Sequence, residues 1–294
     1  MLPKISIITP SFNQGRFIGS TLSSIHNQSY TNLEHIVMDG GSTDETIDIL
    51  KSYDDRIFWQ SKPDNGQYAA IQQGFARASG DIYGWLNSDD IYLPGALLTI
   101  GRIFRDLPEV HWITTSSPML MDEGGSVIYR GRFPGFSRKM FLQGDFATSC
   151  GWSAFGCIQQ ESTFWRRSLW EKVEGFPKHI NYAGDLYLWN EFYKHAELYS
   201  VGMPLACFRV HSAQKSAALD KYHSEAMQIV FKQSIGTRGR LKKAYHKQRI
   251  KFLSTIGDSP KLIKRLKSFG LLRDTKYINY NFEEQVFKLE AYPR

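Results

Sequence analysis

The first hundred residues alternate short β-rich apolar runs with amphipathic helical patterns, and few architectures accept that alternation. Strand-forming runs fall at 4–9, 33–39, 56–61 and 82–87. Between them, Ile18, Leu22 and Ile25 repeat at helical spacing, Ile47 and Leu50 mark a second helical face, and a third helix is predicted over 67–78, stopping before Gly80. Ser42-x-x-Glu45, directly after Gly40-Gly41, reads as a capping box that opens the second helix. Strands separated by helices pair in parallel, because a parallel pair needs a crossover long enough to hold a helix. The expected fold class is therefore α/β, a Rossmann-like, mostly parallel central sheet flanked by helices. A chain of 294 residues, 42% hydrophobic and 14% aromatic, suffices for one large core.

In such open sheets ligands bind beyond the carboxyl ends of the strands. Here those ends read Thr9-Pro10-Ser11-Phe12-Asn13, Asp39-Gly40-Gly41, Lys62-Pro63-Asp64-Asn65-Gly66 and Asn87-Ser88-Asp89-Asp90, so polar and acidic residues gather on one edge. Adjacent carboxylates repel unless a cation lies beside them, and hard oxygen ligands suit Mg²⁺ or Mn²⁺ bound together with phosphates. A helix cap before Pro94-Gly95-Ala96-Leu97 would use one aspartate and leaves the second unexplained. Neither a GxGxxG turn nor a phosphate-binding P-loop follows the first strand, which counts against NAD and ATP sites.

Further along, a helix is expected over 94–104, a strand over 110–116, and a hairpin pairing 118–122 with 126–130 around Glu123-Gly124-Gly125. The Gly- and aromatic-rich stretch 144–156 is expected to loop over the site. Strands at 162–165 and 206–211 bracket a helix containing Asp185. After residue 217 the pattern turns helical and basic. Residues 232–276 hold 14 Lys/Arg against Asp258 and Asp274, a net +12 that leaves −5 on the rest of a chain of net charge +7. The expected organisation is a catalytic domain over 1–216 and a C-terminal helical, basic extension over 217–294.

In that extension Leu262, Ile263, Leu266 and Phe269 form an apolar stripe flanked by Lys261, Lys264, Arg265 and Lys267. The pattern fits peripheral attachment to an anionic membrane, and equally a solvated helical face. Aromatics do not alternate with the basic residues, so no nucleic-acid partner is expected. Cys150, Cys157 and Cys207 are odd in number and lack metal-site spacing, which predicts buried thiols. No secretory leader and no stretch of roughly 18 apolar residues is present, which predicts a cytoplasmic protein, or one at the inner face of the cell membrane.

Taken in order, Ser6-Ile7-Ile8-Thr9-Pro10-Ser11-Phe12-Asn13, Asp39-Gly40-Gly41-Ser42-Thr43-Asp44, Asp64-Asn65-Gly66, Gly80-Asp81-Ile82 and Leu86-Asn87-Ser88-Asp89-Asp90 resemble the family 2 glycosyltransferases, which have the GT-A fold. The resemblance covers about residues 4–216. It implies that Thr9, Pro10, Ser11 and Asn13 wall a nucleotide pocket and that Asp39 reads the base, commonly uracil. Asn87 and Asp89 would lie on the donor side, with Asp89 holding the ribose or the metal. Asp90 would ligate a divalent cation, Mn²⁺ or Mg²⁺, under the diphosphate, and the late histidine His211 would join it, with Arg209 and Lys215 toward the diphosphate. Asp64 would bind the base or merely build a turn, as Asp44 does ahead of its helix. Asp185 matches the family's catalytic carboxylate, a general base for an acceptor hydroxyl. Gln160 and Glu161, in Gln159-Gln160-Glu161-Ser162, resemble the acceptor wall.

Two departures stand out: Asn87 replaces the first acid of an Asp-x-Asp motif, and Tyr187 replaces a second acid near the base. The implied activity is inverting, metal-dependent transfer from a nucleotide-sugar, a UDP-sugar by the family's habit. The acceptor would be a glycan or lipid-linked hydroxyl in cell-surface polysaccharide assembly. Lack of a Gln-x-x-Arg-Trp motif and of spanning helices predicts one sugar per encounter. The alternatives are another nucleotide-sugar-handling α/β enzyme and a catalytically inactive GT-A binding module.

Overall fold

The structure, a computed structural model, describes residues 1–133, 135–142, 146, 157–231 and 275–290. In chain order the elements begin β1 (Ile5–Ser11), α1 (Gly15–His26), β2 (Leu33–Asp39), α2 (Thr46–Lys51), β3 (Phe58–Ser61), α3 (Gln67–Arg77) and β4 (Ile82–Trp85). There follow β5 (Ile91–Tyr92), α4 (Ala96–Asp106), β6 (Trp112–Thr115), β7 (Met119–Met121), β8 (Val127–Arg130), α5 (Arg138–Leu142), β9 (Phe164–Arg166), α6 (Arg167–Trp170) and α7 (Gly184–Phe192). The chain continues through β10 (Leu198–Val201), β11 (Ala206–Arg209), a 3₁₀ turn at Lys215–Ala217, α8 (Leu219–Phe231), β12 (Lys276–Asn281) and β13 (Val286–Glu290).

The large sheet runs β13-β12-β10-β6-β9-β4-β1-β2-β3. It is parallel from β4 to β3, with β9 antiparallel to both of its neighbours. Strand β1 is buried along its whole length, and its side chains serve two cores. Ile5 and Ile7 share one core with Ile100, Ile103 and Phe104 of α4, while Ile8 shares another with Ile71 and Phe75 of α3. That is why its sequence is an unbroken apolar run rather than an alternating one. Parallel register brings Ser11 beside Asp39 and Asp39 beside Ser61, so the loops after β1, β2 and β3 leave the sheet together.

A second sheet, β5-β11-β7-β8, sits at that same edge. The sequence shows it as the 118–130 hairpin, which forms with Gly125 at φ +92° in its turn, and as the strand expected at 206–211, which is β11. Strands β5 and β10 carry too few residues for a period to register and were not anticipated. The expected capping box does not form. Helix α2 starts at Thr46 without a side-chain cap, Ser42 instead donates its hydroxyl to Asp39, and Asp44 accepts the amide of Thr46 at 3.1 Å.

The expected boundary at residue 216 is not where packing stops. Helix α8 lies on α7, and residues 276–290, expected as helical tail, form a hairpin on the edge of the main sheet through β10. Tyr277, Ile278 and Phe287 are buried there. The local sequence Lys276-Tyr277-Ile278-Asn279-Tyr280 is β-branched and aromatic, and the surrounding basic composition masked it. The stretch 144–156, apart from the buried Phe146, and the stripe at 262–269 lie outside the described residues. Cys207 is a buried free thiol as expected, whereas Cys157 is disulfide-bonded and departs from that expectation. Among the described residues no helix is long and apolar enough to cross a membrane.

Candidate active site

A cavity of about 910 Å³ opens at the carboxyl edge of β1, β2 and β4 and reaches α7 and α8. Pro10, Ser11, Phe12, Gly40 and Asp64 line its outer end. The hydroxyl of Ser11 and the side-chain carbonyl of Gln14 are buried there without a partner, acceptors and donors open to a polar ligand. Asp64 lines the wall and also accepts the amide of Gly66 at 2.6 Å, so it builds the turn expected of it.

Thr9 and Asp39 stand behind this wall rather than on it, and Asn13 is exposed outside it. Thr9 is fully buried and pairs with His35 Nε2 at 3.0 Å, in a site dry enough to push that imidazole down to about 3. Asn13, at φ 51°, accepts the amide of Thr43 and donates its own amide to Ser42, tying the β1 loop to the β2 loop. Asp39 accepts four bonds, from the amides of Gly41 and Ser42 and from the hydroxyls of Ser42 and Ser61. With its oxygens occupied and 2% exposure, Asp39 builds the Gly40-Gly41 turn that shapes the pocket and does not face the pocket itself.

After β4 the chain turns sharply, with the amide of Asp90 donating to the carbonyl of Asn87 at 3.2 Å. The turn sends the two aspartates in opposite directions. Asp89 lines the cavity and meets His211 Nε2 at 3.0 Å, while Asp90 is fully buried away from it. Asp90 accepts the amide of Arg209 at 2.8 Å, and its backbone carbonyl accepts the hydroxyl of Thr21. Burial, with the neighbouring Asp89 and Glu161 charges, holds its carboxyl well above the usual range. The expectation that Asp90 holds the metal is therefore corrected. The cavity-facing acid is Asp89, with His211 buried behind it, and Asp90 fastens the motif to β11.

Asn87 lines the cavity and joins four groups. It accepts from Gln67 Nε2 at 2.8 Å and Trp85 Nε1 at 3.2 Å, and donates to Gln160 Oε1 at 3.1 Å and Asp90 Oδ2 at 3.4 Å. An aspartate there has no proton to donate, and would put a further negative charge beside Asp89, Asp90 and Glu161. Arg209, expected toward the diphosphate, instead spends its guanidinium on the carbonyls of Asp89 and Glu123 and the hydroxyl of Ser20. Lys215 does line the cavity, its ammonium 4.7 Å from the Tyr68 ring centroid and bonded to Gln67.

At the inner end Asp185 opens α7 and lines the cavity. Burial raises its carboxyl to about 6, against the opposing pull of the Leu186 amide, the Tyr222 hydroxyl and Lys215. Gln160 donates to the carbonyl of Trp85 at 2.6 Å. Glu161 is 3% exposed with Oε1 unpartnered, raised to about 8 by burial and by the charges of Asp185 and Asp89. It stands in the electrostatic reach of both ends of the site.

Tyr68, Tyr222 and Glu225 were missed by sequence reasoning. Tyr68 and Tyr222 sit on helical faces where an aromatic reads as core, and nothing local distinguishes Glu225 from a solvated acid.

A divalent cation fits what the chain offers. Asp89 supplies one carboxylate facing a cavity with room for phosphates, and the buried imidazole of His211 stands directly behind it at 3.0 Å. Among the described residues no third His, Cys, Asp or Glu completes an all-protein cage. Mg²⁺ and Mn²⁺ are commonly held in this way, by one or two protein groups with phosphate and water making up the shell.

The sequence pattern described as Glycosyl transferase family 2 matches residues 6–156, and the chain belongs to that family. An uncharacterized glycosyltransferase of Rickettsia prowazekii is 27% identical over 212 residues, 72% of this chain, and the match spans 65% of that relative's length. S. aureus TarS, residues 1–349 in complex with UDP-GlcNAc, superposes with a TM-score of 0.58 at 18% identity over 78% of this chain and 65% of that one. The mannosyltransferase PcManGT from Pyrobaculum calidifontis, in complex with GDP-Man and Mn2+, gives 0.57 at 17% identity over 92% and 81%. The fold is that of the GT-A glycosyltransferases.

Proposed function

We propose that this chain is an inverting, metal-dependent, non-processive glycosyltransferase that moves a sugar from a UDP-sugar to a hydroxyl of a glycan or lipid-linked acceptor in cell-surface polysaccharide assembly. The observation that carries the reading is that one cavity is lined by Asp89, with His211 hydrogen-bonded behind it, toward one end and by Asp185 at its inner end. Pro10, Ser11, Phe12 and Asp64 would flank the nucleoside, and Lys215 would meet the diphosphate. Asp89 and His211 would hold Mn²⁺ or Mg²⁺, which offsets charge developing on a departing nucleoside diphosphate. Asp185 would take the proton of the attacking hydroxyl. A carboxyl at about 6 is ionised near neutral pH yet basic enough to serve. A lipid-linked acceptor suits the basic, amphipathic pattern of residues 261–269.

A thermal-shift screen of nucleotides and nucleotide sugars with and without Mn²⁺ tests the reading, since stabilisation follows site occupancy. UDP and a UDP-sugar are expected to raise Tm, more so with Mn²⁺. The absence of a shift with every nucleotide would remove the donor site and with it the proposal.

A further inference from the structure

The four backbone amides from residue 181 to residue 184, where α7 begins, all end on side chains. Glu225 of α8 accepts from the amides of Asn181, Tyr182 and Ala183 at 3.0, 2.7 and 2.9 Å. Tyr68 of α3 accepts from Gly184 at 2.9 Å and passes its own proton to the carbonyl of Tyr182 at 2.8 Å. The carboxylate of Asp185 takes the amide of Leu186. A helix N-terminus presents unpaired donors, and here a carboxylate from a different helix covers those of the preceding turn. From the same α8, three residues before Glu225, the hydroxyl of Tyr222 lies 3.4 Å from both oxygens of Asp185.

We infer that α8 is the positioning element of the base: Glu225 fixes the turn that presents Asp185, and Tyr222 hydrogen-bonds its carboxylate. The inference rests on the proposed role of Asp185 and adds residues that the family pattern at 6–156 does not reach. Without Glu225 three amides lose their common acceptor, and of the side-chain hydrogen bonds to the 182–184 backbone those of Tyr68 remain. Without the Tyr222 hydroxyl the charged form of Asp185 loses a donor, so it binds its proton more tightly. The other ionisable groups facing Asp185 are Lys215 from the 3₁₀ turn, Tyr68 from α3 and Glu161; Glu225 acts on Lys215 and Tyr68, so the titration is read in Tyr222→Phe, which keeps Glu225.

The test uses the full-length protein and two readouts that do not depend on turnover. Carboxyl ¹³C NMR follows the titration of Asp185, its signal assigned with Asp185→Asn, and hydrogen exchange with mass spectrometry follows residues 181–184. Tyr222→Phe is expected to move the Asp185 midpoint upward from about 6. Glu225→Ala is expected to speed exchange at 181–183 by about tenfold or more, with the core helices unchanged. Glu225→Gln, which keeps one acceptor oxygen, should fall between and serves if the alanine variant does not fold. An unmoved midpoint in Tyr222→Phe together with unchanged exchange in both Glu225 variants overturns the inference. Hydrolysis of a UDP-sugar with Mn²⁺ separates it from the reading beneath it. Native rates in Asp185→Asn would end the base assignment and leave the NMR and exchange results to stand on their own.

Discussion

At the scale of single residues, the Asn87-Ser88-Asp89-Asp90 turn divides labour among side chains that look interchangeable in the sequence. Asp89→Ala is expected to abolish the Mn²⁺-dependent part of nucleotide binding, while Asp90→Asn, which still accepts from Arg209, leaves it nearly intact. Nucleotide-induced thermal shifts with and without Mn²⁺ distinguish the two. Asn87→Asp is expected to destabilise the fold by about 1–3 kcal/mol, because a buried donor is lost and a charge is added. That loss of Tm should shrink as pH falls and the carboxylates take up protons. Asp185 gives opposite signs for rate and stability. Its folded carboxyl, at about 6, lies above the ordinary 3.8, so ionising it costs the fold something as pH rises through that window, and the cost is complete above about 6. Transfer should fall as pH drops below about 6, and Asp185→Asn should abolish transfer at pH 8 while raising Tm by a few degrees. A pH–rate profile and a melt at pH 8 check both.

At the scale of elements, the site depends on how α7 meets its neighbours. Gly184 packs so closely on Tyr68 that a Cβ would lie 2.4 Å from its ring. Gly184→Ala is expected to cost about 1–3 kcal/mol and to displace the start of α7. Transfer should then fall further than the drop in Tm explains, as measured by kcat at a temperature where the variant is fully folded. Secondary structure at this scale was legible wherever a period or a turn residue was strong, as for α1, α3, α4 and the β7–β8 hairpin. The α2 capping box failed because Asp39 captured Ser42, a partner contributed by an adjacent strand end rather than by the helix.

At the scale of the molecule, the chain beyond residue 216 belongs to the body in two places. Helix α8 closes the inner end of the cavity, and β12–β13 covers the β10 edge, with the amide of Phe287 donating to Asp106 at 3.0 Å. Deletion of residues 275–294 is expected to expose that edge and the apolar surface under Tyr277, Ile278 and Phe287. The result should be a lower Tm and faster proteolysis of the remainder, measured by thermal melts and limited trypsin digestion. A removable tail would leave both unchanged.

The sequence by itself determined the α/β class, the order of the motifs along the edge, and Asp185 as an acid opening a helix. These are properties of local period, strand ends and helix starts, which neighbouring residues in the chain decide. Only the tertiary structure decided which of the two adjacent aspartates faces the cavity, that Asp39 and Thr9 stand behind its wall, and that Glu225 and Tyr222 of α8 hydrogen-bond the turn before Asp185 and its carboxylate. Side-chain direction after a turn, and the identity of a partner 43 or 122 residues away, follow from packing, and packing has no period for a sequence to display.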